Sequence, residues 1–214
     1  QKRGGFSHPV QLIAVTKTHP FSLIKECYDV GITAIGENRI QEASKKFASF
    51  DSMPGLSRRF IGHLQSNKVN KCLELFDTID SVDSVKLLKR ISNTALQQER
   101  TIHVLLEINT SGETQKHGFL PDQLDEIREC FNLPSINIEG LMTVGPLTAD
   151  KEKIRDSFIQ LRALRKKINQ SVIQSDMLEL SMGMSGDYEI AVEEGSTMIR
   201  LGTALFGERT PYKI

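Results

Sequence analysis

The chain of 214 residues carries 27 basic and 27 acidic side chains, with 39% hydrophobic and 25% charged residues. This is the balance of an ordinary globular protein with one good-sized core, and it offers no electrostatic case for nucleic acid or an anionic membrane. No apolar run approaches the roughly 20 residues that span a bilayer, and the odd, widely spaced Cys27, Cys72 and Cys130 speak against a disulfide frame or zinc site and for a reducing, cytoplasmic setting.

The lead-in from Gln1 to Pro9 is polar and has no secretory pattern. The apolar run Leu12 to Val15 predicts a buried parallel strand, because it lacks alternation. It ends in Thr16-Lys17-Thr18-His19-Pro20, and Pro20 begins a helix that Gly31 stops. The pattern then repeats. Strands are predicted at Ile32 to Ile35, Arg59 to Ile61, Phe76 to Ile79, Ile102 to Ile108 and Ile136 to Leu141, with two more at Leu178 to Leu180 and Thr197 to Leu201. Helices are predicted from Arg39 to about Phe50, Asn70 to Leu75, and Ser81 or Asp83 to about Gln98. Others run from Pro121 to Phe131, from Asp150 to Gln170 and from Asp187, the longest with Ile154, Phe158, Leu161, Leu164 and Ile168 at helical spacing.

Eight strand–helix pairs in a row imply a parallel sheet closed into one (β/α)8 barrel domain over residues 1–214. An open doubly wound sheet is the competing architecture, but no Gly-rich dinucleotide fingerprint follows the first strand. In a barrel, the residues just past the strand ends face the active site. Here they are Lys17, Asn38, His63, Asp80, Asn109, Met142, Ser181 and Arg200.

The last two strands each feed a turn rich in Gly and hydroxyl groups, the loop Ser181 to Gly186 and the pair Gly202-Thr203. Helix N-termini offer unpaired N–H groups, so two such turns side by side form a phosphate cup. Closure would set Lys17 beside this cup. Lys17 reads either as an exposed loop residue or as a desolvated amine able to attack a carbonyl, and a Schiff-base lysine beside a phosphate site is what pyridoxal 5'-phosphate (PLP) requires. Arg200 would donate to the cofactor's pyridine nitrogen, leaving it largely unprotonated and a poor electron sink. His63 would lie against the ring, orient Lys17 or serve the structure, and Asn38 would bond the phenolate oxygen or cap its helix. Met182 and Met184 read as packing, and Lys45-Lys46 and Arg165-Lys166-Lys167 as solvated helix faces. His8, His19, His103 and His117 have no spacing that suggests a metal.

The segments AVTKTHP around Lys17, GEN at Gly36 to Asn38 and FIGHLQSNK from Phe60 to Lys68 resemble the pyridoxal phosphate homeostasis proteins. So do GLMTVGP from Gly140 to Pro146, LSMGMSGD from Leu180 to Asp187 and GSTMIRLGTALFGER from Gly195 to Arg209. The resemblance implies a fold type III PLP-binding barrel, like the N-terminal domain of alanine racemase, with the cofactor as an internal aldimine on Lys17. It implies that Ser185, Gly202 and Thr203 hold the phosphate and Arg200 the pyridine nitrogen, with Asn38, His63, Met142 and Ser181 lining the cofactor. Gly186, Thr16 and His19 depart from the commoner residues of the family, and the helix usual before the first strand is absent or clipped.

The function this implies is a non-catalytic PLP carrier in vitamin B6 and amino-acid homeostasis, monomeric, serving PLP-dependent apoenzymes. The alternative is a fold type III amino-acid racemase, which needs a second base opposite Lys17. Related racemases bring a Tyr from a second domain, whereas this sequence ends soon after the eighth unit and has Tyr28, Tyr188 and Tyr212 on helices or the tail. A third reading is an aldolase-type barrel that uses Lys17 on phosphorylated sugars.

Overall fold

The computed structural model describes residues 2–47, 53–173 and 177–208. Its eight strands are β1 (Gln11–Val15), β2 (Ala34–Glu37), β3 (Ser57–Phe60), β4 (Thr78–Val82), β5 (Ile102–Glu107), β6 (Ile136–Met142), β7 (Glu179–Met184) and β8 (Met198–Leu201). Between and after them lie α1 (Phe21–Asp29), α2 (Ile40–Phe47), α3 (Val69–Leu75), α4 (Val85–Gln97), α5 (Leu124–Cys130), α6 (Lys151–Ile168), α7 (Tyr188–Glu193) and α8 (Thr203–Phe206). The strands pair in chain order, all parallel, and β8 closes on β1 with Ile13 opposite Arg200 and Ala14 opposite Leu201. This is a (β/α)8 barrel.

Two apolar cores follow from the alternation of strand side chains. The outward-facing set, including Ala14, Ile35, Phe60 and Leu180, packs against the helices. There the predicted stripe of α6, Ile154, Phe158, Leu161, Leu164 and Ile168, is buried. Truncating a side chain such as Phe158, which is fully buried, costs about 3–5 kcal/mol. The smaller inner core holds Ile13, Ala34, Leu105, Met142 and Met198, with Val144 above them. The barrel interior is not wholly apolar. Arg59 of β3 donates through Nε to Asp80 of β4 over 2.8 Å, both buried. Burial works against the Arg59 charge, but the attraction of Asp80 outweighs it and holds its pKa above the ordinary value.

Several boundaries differ from those predicted. Strand β4 extends to Val82, so Asp80 and Ser81 lie in the sheet, and the cap of α4 is Ser84, whose Oγ accepts from Leu87 N at 3.3 Å. Strand β7 runs on to Met184, so Ser181 is a buried strand residue and not the first residue of a loop. The physical reason is a bulge between Ser181 and Met184 in the pairing with β8. Gly183 sits there at φ +99°, a conformation closed to most side chains, and lets the chain re-enter register. The predicted end of α2 at Phe50 lies outside the described residues, as do Gln1, Arg209 and Tyr212.

One cation read as solvated is not, and a second makes a backbone contact while staying partly exposed. Lys46 is 9% exposed at its side chain and bonds Glu37 and Glu42, each at 2.7 Å. Arg165 donates to the Leu178 carbonyl. A long basic side chain on an amphipathic helix can fold back under its own face, which a charge count does not reveal. Cys27, Cys72 and Cys130 are all buried and unpaired, and burial pushes the Cys130 thiol up to about 12, so it is not a reactive thiolate. No described helix is long and apolar enough to cross a membrane.

Candidate functional site

The β8–β1 closure brings two ends of the sequence into one cavity of about 440 Å³ at the C-terminal mouth of the barrel. Polar groups on its wall come from four strand ends: Lys17 after β1, Asn38 after β2, Ser185 after β7, and Arg200 with Gly202 and Thr203 on and after β8. Val15, Ile61 and Val144 add an apolar side. A mostly apolar pocket with a few convergent polar groups has the character of a small-molecule site.

Lys17 stands on a turn built from below. Thr18 has φ +67°, an uncommon conformation for a β-branched residue, and its N–H donates to Glu42 of α2. Behind the turn, Thr16 Oγ1 donates to Glu37 Oε1 at 2.7 Å, and Lys46 Nζ donates to both the Thr16 carbonyl and Glu37 Oε1 at 2.7 Å. Glu37 is fully buried and its Oε2 has no partner among the described residues. Burial therefore raises its pKa in spite of the bonds from Lys46 and Thr16. This Thr16–Glu37–Lys46–Glu42 network, strung between β1, β2 and α2, holds the lysine turn against the barrel. The sequence does not reveal it, because Glu37 is one letter of a motif and Lys46 one of a charged pair. The nearest signal was a Glu ending an otherwise apolar strand.

Arg200 is 4% exposed and still reaches the cavity wall. Its Nη1 donates to Ser181 Oγ and to the Ser181 carbonyl, each at 2.8 Å, and Nη2 donates to the Thr143 carbonyl at 2.7 Å. Burial pulls its pKa down, against the raising fields of Asp80, Glu107 and Asp187. Among the described residues its Nε donates to no protein acceptor, while the side chain lines the cavity. The guanidinium is thus held through both Nη atoms, with Nε left for a ligand.

At the next turn, Asp187 Oδ1 accepts from Met184 N at 2.6 Å and folds the β7–α7 connection over. That places Ser185 Oγ where it accepts from Gly202 N at 3.3 Å and Ala204 N at 3.1 Å. A hydroxyl and two backbone amides converge there, the donor set that an anion's oxygens need.

Six of the nine predicted site residues therefore meet in the cavity: Lys17, Asn38, Ser185, Arg200, Gly202 and Thr203. Met142 and Ser181 lie beneath it, Met142 in the inner core and Ser181 as the acceptor for Arg200. His63 does not line it. Its ring stacks on His117 with centroids 3.9 Å apart, and its Nδ1 lies 3.1 Å from Asp83 Oδ2, in a separate groove. Asp80 and Asn109, also at predicted strand ends, are spent on Arg59 and on the Glu113 carbonyl. His19, which the sequence marks only as a histidine without metal spacing, lines the cavity and packs against Phe206 with centroids 5.0 Å apart.

The family model for the N-terminal domain of alanine racemase matches residues 3–210. A pyridoxal phosphate homeostasis protein of Vibrio cholerae is 40% identical over 213 residues, covering 98% of this chain and 89% of that protein. One of Mus musculus is 37% identical over 210 residues, covering 93% and 77%. Among solved structures, PipY of Synechococcus elongatus PCC7942 with PLP bound has a TM-score of 0.86 at 39% identity, covering 96% of each chain. An alanine racemase of Clostridium difficile 630 has a TM-score of 0.79 at 16% identity, over all of this chain and 56% of that one, a likeness of fold alone.

Proposed function

The chain belongs to the pyridoxal phosphate homeostasis protein family, and on that premise we propose that it binds PLP in the cavity at the β8–β1 closure and acts in PLP homeostasis without turnover of its own. The observation that carries the reading is the convergence of an amine, an anion-binding turn and a half-clamped guanidinium on one cavity of about 440 Å³. These are the three groups that an aldehyde, a phosphate and a pyridine nitrogen call for. Bound there, PLP would supply an aldehyde that condenses with amines and a ring that spreads developing negative charge.

The roles follow from what each residue can do. Lys17 would hold the cofactor covalently as a Schiff base. The Gly202 and Ala204 amides, with the hydroxyls of Ser185 and Thr203, would take the phosphate, and Asn38 would contact the polar edge of the ring. Arg200 would point Nε at the ring nitrogen and keep its own proton, because a guanidinium does not deprotonate at physiological pH. Ser181 and the Thr143 carbonyl would position Arg200 from beneath the cavity. Such a site retains a cofactor and weakens its power as an electron sink. The tyrosine that related racemases use as second base is lacking among the described residues of the cavity. Tyr28 donates to the Pro54 carbonyl at 3.0 Å, and Tyr188 lies beside Arg3 and Val10 on the outside of the barrel.

Titration of the purified protein with PLP, followed by absorbance and by intact mass after borohydride reduction, tests the reading. One cofactor fixed per chain, lost in Lys17→Ala, is expected. A protein that takes up no PLP sinks the proposal, and robust conversion of L- to D-amino acids by the loaded protein would replace the carrier with a racemase.

A further inference from the structure

Beside the cavity wall formed by Ile61 and Gly62, the connections after β3, β4 and β5 bring together His63, Asp83 and His117. Their ligand atoms all lie within 4.8 Å of one another. Nδ1 of His63 is 3.1 Å and Nδ1 of His117 3.8 Å from the same oxygen, Asp83 Oδ2. We propose that these three side chains form a binding site for a divalent transition-metal ion of the zinc class, separate from the PLP cavity, which none of them lines.

The spacing carries the inference. A tetrahedral ion with bonds of roughly 2.0–2.1 Å holds its donor atoms about 3.3 Å apart, and the two separations from Asp83 Oδ2, 3.1 and 3.8 Å, bracket that value. Two imidazoles and a carboxylate suit zinc and its neighbours better than magnesium or calcium, which prefer oxygen alone. The carboxylate is oriented from behind: Ser84 Oγ donates to Asp83 Oδ1 at 3.1 Å, leaving Oδ2 to face the imidazoles. That is the kind of outer-shell bond that fixes a ligand in place.

The rings stack 13° from parallel, so their Nδ1 lone pairs run side by side and do not yet meet at a point. An ion on the Asp83 side would tilt the planes apart. Both side chains have room to do so, at 45% and 56% exposure, whereas Asp83 at 12% is held. The fourth position would open onto the groove lined by Ser66, Lys86 and Gly118, where water or a small anion completes the shell.

The test uses the full chain stripped with EDTA and dialysed, titrated with Zn2+ in competition with a chromophoric chelator, with and without bound PLP. One equivalent of Zn2+ per chain is expected, weakened about tenfold or more in His117→Ala and in Asp83→Asn. In His103→Ala, whose imidazole pairs with Glu139 at the other end of β5, the affinity should stay unchanged. Zn2+-dependent shifts of two imidazole signals in the NMR spectrum of the wild-type protein give a readout that needs no variant. Cobalt loading should give the visible d–d bands of a tetrahedral site without a thiolate charge-transfer band. Absence of stoichiometric binding, indifference to His117→Ala, or a thiolate band tracing the ion to cysteine would each overturn the proposal.

Discussion

Arg200 of β8 reaches across the barrel wall to Ser181 of β7, its Nη1 2.8 Å from both the hydroxyl and the carbonyl of that one residue. A buried cation with its acceptors supplied from one side can present its remaining donor to a ligand without loss of solvation elsewhere.

Ser181→Ala removes one of these acceptors and leaves the backbone pair. A hydrogen bond to a charged group contributes about 1.5–3 kcal/mol, so PLP affinity is expected to fall at least tenfold, measured by absorbance titration. An unchanged affinity would mean that the Ser181 and Thr143 carbonyls alone hold Arg200 in place.

Lys46→Ala leaves Glu37 buried without its cation. Breaking such a pair costs about 3–5 kcal/mol, so the melting temperature should drop by roughly 10 °C for a chain of this size. The double variant Lys46→Met with Glu37→Gln should recover most of the loss, because it removes the stranded charge. Scanning calorimetry on the two proteins decides it.

Gly183→Ala places a methyl 2.6 Å from Ala191 Cβ at a φ of +99°. The strain and the clash together should destabilise by about 2 kcal/mol or more and shift Ser185, weakening PLP binding. Gly186→Ala is the matched control. Its added methyl meets nothing within 4 Å, and stability should change by less than about 0.5 kcal/mol.

Burial first, and the field of Asp83 second, raise the pKa of Glu107 in the folded protein, with Arg200 and His117 opposing. The folded state therefore holds its proton more tightly than the unfolded chain. Its contribution to stability is full below the ordinary carboxylate pKa and is lost as pH rises through the raised one. Glu107→Gln should accordingly gain stability relative to the parent as pH climbs from about 4.5 to 7. Urea denaturation at several pH values tests the sign, and a gap that narrows with rising pH contradicts it.

Much of this arrangement is legible along the chain. Apolar runs alternating with amphipathic stretches dictate eight βα units, because a buried parallel strand and a one-faced helix leave different periods. Lys17 after an apolar strand, and the Gly and hydroxyl residues of the last two turns, announce an amine and an anion site for the same local reason. Contacts between strands are another matter, because pairing partners lie far apart in sequence. The bulge at Gly183 lengthens β7 and turns Ser181 from a loop residue into the clamp on Arg200. The helix layer folds Lys46 inward onto Glu37. The β3–β4–β5 pairing sets His63 against His117, 54 positions on, and outside the cavity that its neighbours Ile61 and Gly62 line. Local composition chooses the elements and the chemically capable residues. Register and closure choose which of those residues touch, because those depend on packing that no single segment contains.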